Sequence, residues 1–323
     1  MEKFQPEVDV AVLLIFFTRT KITTRTFEQI RKARPSKLFL YQDGPRPGRK
    51  DDVQNIIECR NAIEKAIDWD CEVYRMYQEK NYGCDPSEYI SQKWMFSIVD
   101  KGIVIEDDDV MSVSFFKYCK DLLDKYENDT RINIICGMNH LGVYKDCPYD
   151  YFFVRSGGSI WGWATWKRTI DQWDSTYAFL GDKYAERNLK NEFGEVSANM
   201  LLKTCKRHLD SGREHYESIL GSFALLNGTM NIVPKYNMTC NIGVDAESTH
   251  SVSDISKLPR AIRKQLYMKT YELSFPLKHP RYVQPDHGYW KSVLSLMRGN
   301  WFVRTFRIRR IESFIYKYFP FMR

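Results

Sequence analysis

Short apolar runs alternate with longer amphipathic stretches along most of the chain. Residues 10–17 (VAVLLIFF), 37–41 (KLFLY), 71–76 (CEVYRM), 103–105 (IVI), 132–136 (INIIC) and 231–234 (NIVP) each have the length and composition of a strand. Between them, residues 23–33, 51–67, 86–99, 115–126 and 215–226 carry apolar positions at helical spacing. Pro35 ends the first helix, and Asp43-Gly44-Pro45-Arg46-Pro47-Gly48 is a strong turn signal after the second strand. A Gly-containing loop, Asn81-Tyr82-Gly83-Cys84, precedes the third helix, and a polar helical region runs up to Gly212. Strands and helices alternating at this length predict βαβ units: an α/β fold whose mostly parallel sheet is flanked by helices. No internal repeat or low-complexity segment interrupts it.

From Ser253 the pattern changes, with Pro259, Pro276, Pro280 and Pro285 cutting the chain into short pieces. The organisation expected is therefore a main domain over 1–252 and a C-terminal extension over 253–323. Residues 290–323 carry eight Lys or Arg against the single acid Glu312, which accounts for much of the formal net charge of +7. Phe302, Phe306, Ile311, Phe314, Ile315 and Tyr318 recur near helical spacing among these cations. A basic amphipathic helix rich in aromatics suits a membrane surface, and equally suits packing on the body of the protein. Nucleic acid is not expected as a partner, because no nucleic-acid-binding module accompanies the charge.

At 323 residues, 43% hydrophobic and 15% aromatic, the chain can bury a sizeable core and is not disordered. Its eight cysteines show neither CxxC nor paired Cys/His spacing, which argues against zinc and for reduced thiols in a cytoplasmic protein. The run 10–17 follows Glu2, Glu7 and Asp9 and has no small-residue cleavage site after it, so it reads as a first strand rather than a signal sequence. It is also far shorter than the ~20 apolar residues that span a membrane.

Candidate chemistry concentrates after the strand 103–105, where Glu106, Asp107, Asp108 and Asp109 follow without a break. Adjacent carboxylates repel, so they need a cation or donors nearby. In open α/β sheets, ligands bind beyond the carboxyl ends of strands, where these acids fall. An extended chain would put Glu106 and Asp108 on one side, Asp107 and Asp109 on the other. The stretch 155–166 holds Trp161, Trp163 and Trp166 among glycines, and reads as a flexed aromatic loop that offers a platform for a sugar ring or as a packed turn.

The order Thr18-Arg19, Asp43-Gly44-Pro45-Arg46, Glu106-Asp107-Asp108 and Gly162-Trp163-Ala164-Thr165-Trp166, followed by His215-Tyr216-Glu217, Asn241-Ile242-Gly243 and Ser248-Thr249-His250-Ser251, resembles bacterial GT-A-type (Rossmann-like) nucleotide-diphospho-sugar glycosyltransferases. The nearest resemblance is to the haemolysin HlpA-like group, distantly similar to N-acetylglucosaminyltransferase I. It covers about residues 8–251. It implies a metal-dependent enzyme that moves a sugar from a nucleotide-sugar donor, UDP-linked, to a glycan or lipid-linked acceptor in surface polysaccharide synthesis, at the inner face of the membrane. The resemblance gives Asp108 the role of ligand to a divalent metal (Mn2+ or Mg2+) on the donor's diphosphate, with Asp107 toward the ribose; Asp109 is an acid beyond the family pattern. Thr18, Arg19 and Asp43 would face the nucleotide, Glu106, Trp161 and Trp163 the sugar or acceptor, and His250 the metal.

The chemistry fits these roles. A dication held by carboxylates stabilises a leaving diphosphate, and such metals complete their shell with phosphate and water. Glu217, beside His215, is the carboxylate placed to deprotonate the incoming hydroxyl in an inverting transfer; it is equally a first-turn acid favoured by the helix dipole. Two other readings compete. A sugar-nucleotide nucleotidyltransferase would need a Gly-rich phosphate loop after the first strand, and none is present. A non-enzymatic membrane-active or adhesive surface protein would be expected to carry a secretion signal or a cysteine framework.

Overall fold

The computed structural model describes residues 3–155, 157–244 and 263–297. Strand β1 (Val8–Phe16) leads into helix α1 (Thr20–Ala33), then β2 (Pro35–Gln42), α2 (Lys50–Lys65), β3 (Glu72–Tyr77), α3 (Cys84–Ile98) and β4 (Lys101–Glu106). Next come β5 (Asp109–Met111), α4 (Ser114–Lys125), β6 (Ile132–Cys136), β7 (Tyr151–Val154), β8 (Trp163–Trp166) and the single turn α5 (Lys167–Ile170). Helices α6 (Lys183–Phe193), α7 (Glu195–Ser211) and α8 (Tyr216–Leu226), strands β9 (Met230–Pro234) and β10 (Thr239–Asn241), and helix α9 (His287–Met297) complete the described chain.

Eight strands form one sheet in the order β3-β2-β1-β4-β8-β6-β9-β7. The half from β3 to β4 is entirely parallel, and β6 pairs parallel with β9, whereas β8 and β7 run antiparallel to their neighbours. This is the α/β, mostly parallel architecture expected from the alternation of elements. The stretch Trp163–Trp166 departs from expectation: it is a fully buried strand wedged between β4 and β6, with Val104 opposite Trp163. Its glycine-rich approach imitates a loop, but the segment pairs with β4 along all four residues and with β6 at Trp163 and Ala164.

The pleat of β1 divides the core. Val12, Leu14 and Phe16 face α1, α2 and α4, packing with Phe27, Ile30, Cys59 and Phe116. Ala11 and Leu13 face the other way, toward Met95 and Phe96 of α3, Trp163 of β8, and Ile219 and Leu220 of α8. Helix α1 buries Thr23, Thr26, Phe27, Ile30 and Ala33, one stripe at three- and four-residue spacing. It ends at Arg34 in the left-handed region (φ 47°), and Pro35 opens β2 at once. All eight cysteines are free.

Residues 263–297 lie against this body rather than apart from it. Phe153 bridges to Pro285 and Asn241 to Leu266, while Tyr289 and Val293 of α9 are buried beside Tyr144 and Phe152.

Candidate functional site at the carboxyl ends of the central strands

Because β1 and β4 are parallel neighbours, with Ile15 opposite Glu106, the residues that follow each strand emerge side by side. Only Phe17, Thr18 and Arg19 separate β1 from α1, so Arg19, at the helix N-cap, is held at the sheet edge. After Glu106 the chain turns through Asp107 and Asp108 before β5 begins at Asp109, and β5 pairs with β10. The expected alternation of the four acids therefore does not occur: the turn swings Asp107 and Asp108 to the same guanidinium. Arg19 Nη2 donates to Asp108 Oδ2 at 2.8 Å and also to Asp107 Oδ1, and Arg19 Nε donates to Asp107 Oδ2 at 3.4 Å. Two threonines on the buried stripe of α1 serve the same turn: Thr23 Oγ1 donates to Asp107 Oδ2 (3.4 Å) and Thr26 Oγ1 to the Asp107 carbonyl (2.8 Å).

The far side of the turn is clamped by the segment 241–243. Asn241 Nδ2 donates to Asp108 Oδ1 at 2.8 Å and to Asp109 Oδ1 at 3.1 Å, and Ile242 N donates to the Asp108 carbonyl at 2.9 Å. A Cβ on Gly243 would stand 1.9 Å from Asp108 Oδ2, so no larger residue fits there as the turn stands. Asp109 is fully buried, and its Oδ2 has no hydrogen-bond partner among the described residues.

Enclosure dominates the electrostatics. Burial, with Asp108 adding to it, lifts Asp107 to about 6 even though Arg19 pulls the other way. Burial and the charges of Asp108, Glu217 and Asp107 push Glu106 up to about 8, and Asp109 and Glu88 are raised well above the usual carboxylate range for the same kinds of reason. Glu88, on α3, is a member of this group that no sequence pattern marks. It sits on a helix face with nothing but burial to distinguish it. Glu217, in the first turn of α8, is exposed and close enough for its charge to raise Glu106, and the Tyr216 hydroxyl donates to Glu106 Oε1 at 3.3 Å.

Glu217 also lines a cavity of about 690 Å³ on the α8 side of the sheet, together with Trp161, Leu220, Asn133, Arg155 and His140. Trp161 is thus placed on a cavity wall. Trp163 is not: it is fully buried in β8 and stacked on Tyr216 at 6.3 Å, whereas Trp161 precedes the strand in the loop that lines the cavity. Asp43 sits at the end of β2 as predicted, but both its oxygens are taken. Oδ1 accepts from Gly44 N and Tyr82 N (both 2.9 Å), and Oδ2 from Asn81 Nδ2 (2.8 Å) and Gly83 N (3.0 Å). It clasps the 81–83 loop to the sheet edge instead of presenting a carboxylate to a nucleotide base. Thr18 follows β1, half-buried beside Arg19. His250 lies outside the described residues, as do residues 298–323 of the basic stretch.

No protein-family model and no curated protein matches the sequence. Among solved structures, the fold is similar to HddC from Yersinia pseudotuberculosis, at 14% identity and a TM-score of 0.32, over 50% of this chain and 79% of that one. It is also similar to a UDP-glucose pyrophosphorylase solved with UDP-glucose, at 10% identity and a TM-score of 0.35, over 71% of this chain and 91% of that one. At this degree of likeness, function has to be argued from the site's own geometry.

That geometry bears on the expected dication. Among the described residues, no group of three or more His, Cys, Asp or Glu is arranged to hold a metal ion. Asp108, the expected ligand, has one oxygen on Arg19 and the other on Asn241, so a dication there would meet a guanidinium that already holds the position. As they stand, the described residues do not fit a resident metal. The expected membrane contact also changes at its start: Trp290 and Val293 pack on the body through α9. No helix among the described residues is long and apolar enough to cross a membrane.

Proposed function

We propose that the protein is a GT-A-type glycosyltransferase moving a sugar from a nucleotide-diphosphate donor, UDP-linked, to a glycan or lipid-linked hydroxyl acceptor in surface polysaccharide synthesis, with inversion. The observation that carries this reading is the meeting of Arg19 with Asp107 and Asp108 at the carboxyl ends of β1 and β4, beside the exposed carboxylate of Glu217. A sugar diphosphate needs a cation where its leaving charge develops, a carboxylate where the acceptor proton departs, and a crevice at the strand ends to bring them together.

In the transfer, the acceptor oxygen bonds to the anomeric carbon as the bond from that carbon to the diphosphate oxygen breaks. The electron pair leaves with the diphosphate, and the hydroxyl proton passes to Glu217. Arg19 is a cation held at the strand ends, and a diphosphate competes for it with Asp107 and Asp108. Asp107, which the resemblance turns toward the ribose, serves in this arrangement to aim Arg19. Mn2+ or Mg2+ would have to draw Asp108 away from Arg19, and the charge that the donor brings is what would favour that exchange.

The three-residue connection from β1 to α1 contains no glycine, which weighs against a nucleotidyltransferase, whose triphosphate needs a run of free backbone N–H groups to cradle it. The test is a thermal-shift screen of nucleotide diphosphates and UDP-sugars with and without Mn2+, followed by a transfer assay with the stabilising donor. Stabilisation by a nucleotide sugar together with release of its nucleoside diphosphate on adding an acceptor is the expected result. Stabilisation by a nucleoside triphosphate and sugar 1-phosphate, with pyrophosphate released, would overturn it.

A further inference from the structure

The cavity beside the acids has a lining poorly suited to a bare polyhydroxyl sugar. One wall is a single face of α8, where Glu217 comes first and Leu220, Ala224 and Leu225 follow one and two turns later. Ile134 and Trp161 line it too, and most of the lining surface is apolar. Polar residues line it as well: Arg155 pairs with Glu192 at 2.6 Å, and Ser159 Oγ accepts from Trp161 N at 3.2 Å. Asn133 and Asn231 bond to each other at 3.0 Å, and His140 is held by Gln265 at 2.7 Å. Asn133, only 1% exposed, leaves its Oδ1 without a hydrogen-bond partner among the described residues. The segment that carries Trp161 is fixed from behind: Gly157, with φ at +82°, lies so close to Trp290 of α9 that a Cβ there would come within 2.1 Å of the indole.

We infer that this cavity is the acceptor subsite, and that it takes a hydroxyl compound with an apolar body, of the aryl or alkyl glycoside class. A bare sugar of matching size would bring several hydroxyls, and each one enclosed without a partner forfeits its bonds to water. An aryl or alkyl group instead exchanges water contact for Trp161 and the leucines of α8. The reacting hydroxyl faces Glu217, at the end of the cavity nearest Glu106; its proton goes to that carboxylate as its oxygen takes the sugar and the diphosphate leaves. The direction of that hydroxyl rests on the glycosyl-transfer reading, whereas the preference for an apolar body rests on the lining alone.

Gly221, on the cavity face of α8, supplies the test, because nothing lies within 4 Å of where its Cβ would be. A larger side chain there starts in open space on the cavity face, and replacing a mid-helix glycine does not weaken the helix. Calorimetric titration of the full chain would compare a panel of 4-nitrophenyl hexosides with the corresponding methyl hexosides, with UDP titrated separately. The expected result is that the best aryl hexoside binds at least about tenfold more tightly than its methyl counterpart. Gly221→Leu should cost aryl affinity about tenfold or more, while UDP affinity holds and the melting temperature does not fall. Equal affinity of aryl and methyl hexosides, binding of neither, or full aryl affinity in Gly221→Leu overturns the inference. Aryl binding that Gly221→Leu abolishes, in a protein that ignores UDP and UDP-sugars, upholds the cavity and removes the glycosyl-transfer reading.

Discussion

Arg19 Nη2 stands 2.8 Å from Oδ2 of Asp108 while the same nitrogen also serves Asp107. One guanidinium therefore pairs with two neighbouring carboxylates, each exposed by 15% or less, and offsets one of their two charges. A divalent cation would compete for the same oxygens.

Arg19→Gln should expose that competition. Removing the cation leaves two enclosed acids facing each other, at a cost on the order of 3 kcal/mol. Mn2+ alone should restore much of that loss in the variant and stabilise the wild type far less, because there Arg19 already holds the oxygens that a dication would take. Chemical denaturation of both proteins with and without Mn2+ measures this. Equal stabilisation of the two by Mn2+ would mean that Arg19 does not occupy the cation position.

Asp108 and Gly243 form a second pair to test. Asp108→Asn keeps the shape and the bond from Asn241 but loses the charge that, with Asp107, aims Arg19 at the strand ends, so transfer should fall by about 10²-fold or more with the fold intact. Gly243→Ala changes no charge, yet its methyl would overlap the Asp108 carboxylate, 1.9 Å away, and push it off Arg19. It should therefore reproduce much of the Asp108→Asn loss, with a stability cost of about 1–3 kcal/mol. Full activity in Gly243→Ala would show that the position of this carboxylate is not critical.

Much of this was legible before any coordinates. The runs at 10–17, 37–41 and 103–105 are apolar on both faces and bounded by turn residues, and central parallel strands have that signature. The acids at 106–109 follow such a run directly, which puts them at a strand end. Other features were hidden for identifiable causes. Strands β5 and β10 are three residues each, too short for any period to register. Strand β8 is masked by the glycines around it. The reach of Asp43 to Tyr82 and Gly83 spans about forty residues of chain and exists only once β2 and the loop before α3 are neighbours. Thr23 and Thr26, polar positions on an otherwise apolar helix stripe, were the one overlooked signal that something polar faces α1.

The two tryptophans at 161 and 163 should separate cleanly. Trp163→Ala empties a core position against Tyr216 and should destabilise the protein by about 3–5 kcal/mol. Trp161→Ala, on the cavity wall, should change stability by less than about 1 kcal/mol while weakening acceptor binding. Urea denaturation and acceptor titration on both variants check this. A larger stability loss at position 161 than at 163 would reverse the assignment of the two rings.

Glu217→Gln keeps the size of the side chain and its place at the start of α8, and removes the base. Turnover should drop by about 10²–10⁴-fold with donor affinity unchanged. Steady-state kinetics with saturating donor separate the two quantities, and a variant that loses donor affinity instead would move Glu217 out of the proton-transfer role.

Glu106 gives the pH dependence its sign. Its folded-state value is pushed up to about 8 from an ordinary 4.5, by burial first and then by Asp108, Glu217 and Asp107. Between those two values the folded protein holds a proton that the unfolded chain releases, so the free energy of unfolding falls as pH rises. The contribution of Glu106 is present in full below its unfolded value and is gone once pH has passed about 8. Asp107, at about 6, acts in the same direction over a narrower window. Glu106→Gln cannot ionise, and it also lifts one charge from its neighbours. The variant and the wild type should therefore melt alike near pH 5 and diverge as pH rises, the variant being higher by roughly 2 °C or more at about pH 8.5. Thermal denaturation of both proteins across that range measures the divergence, and parallel curves would mean that the Glu106 carboxylate is already ionised in the folded protein at neutral pH.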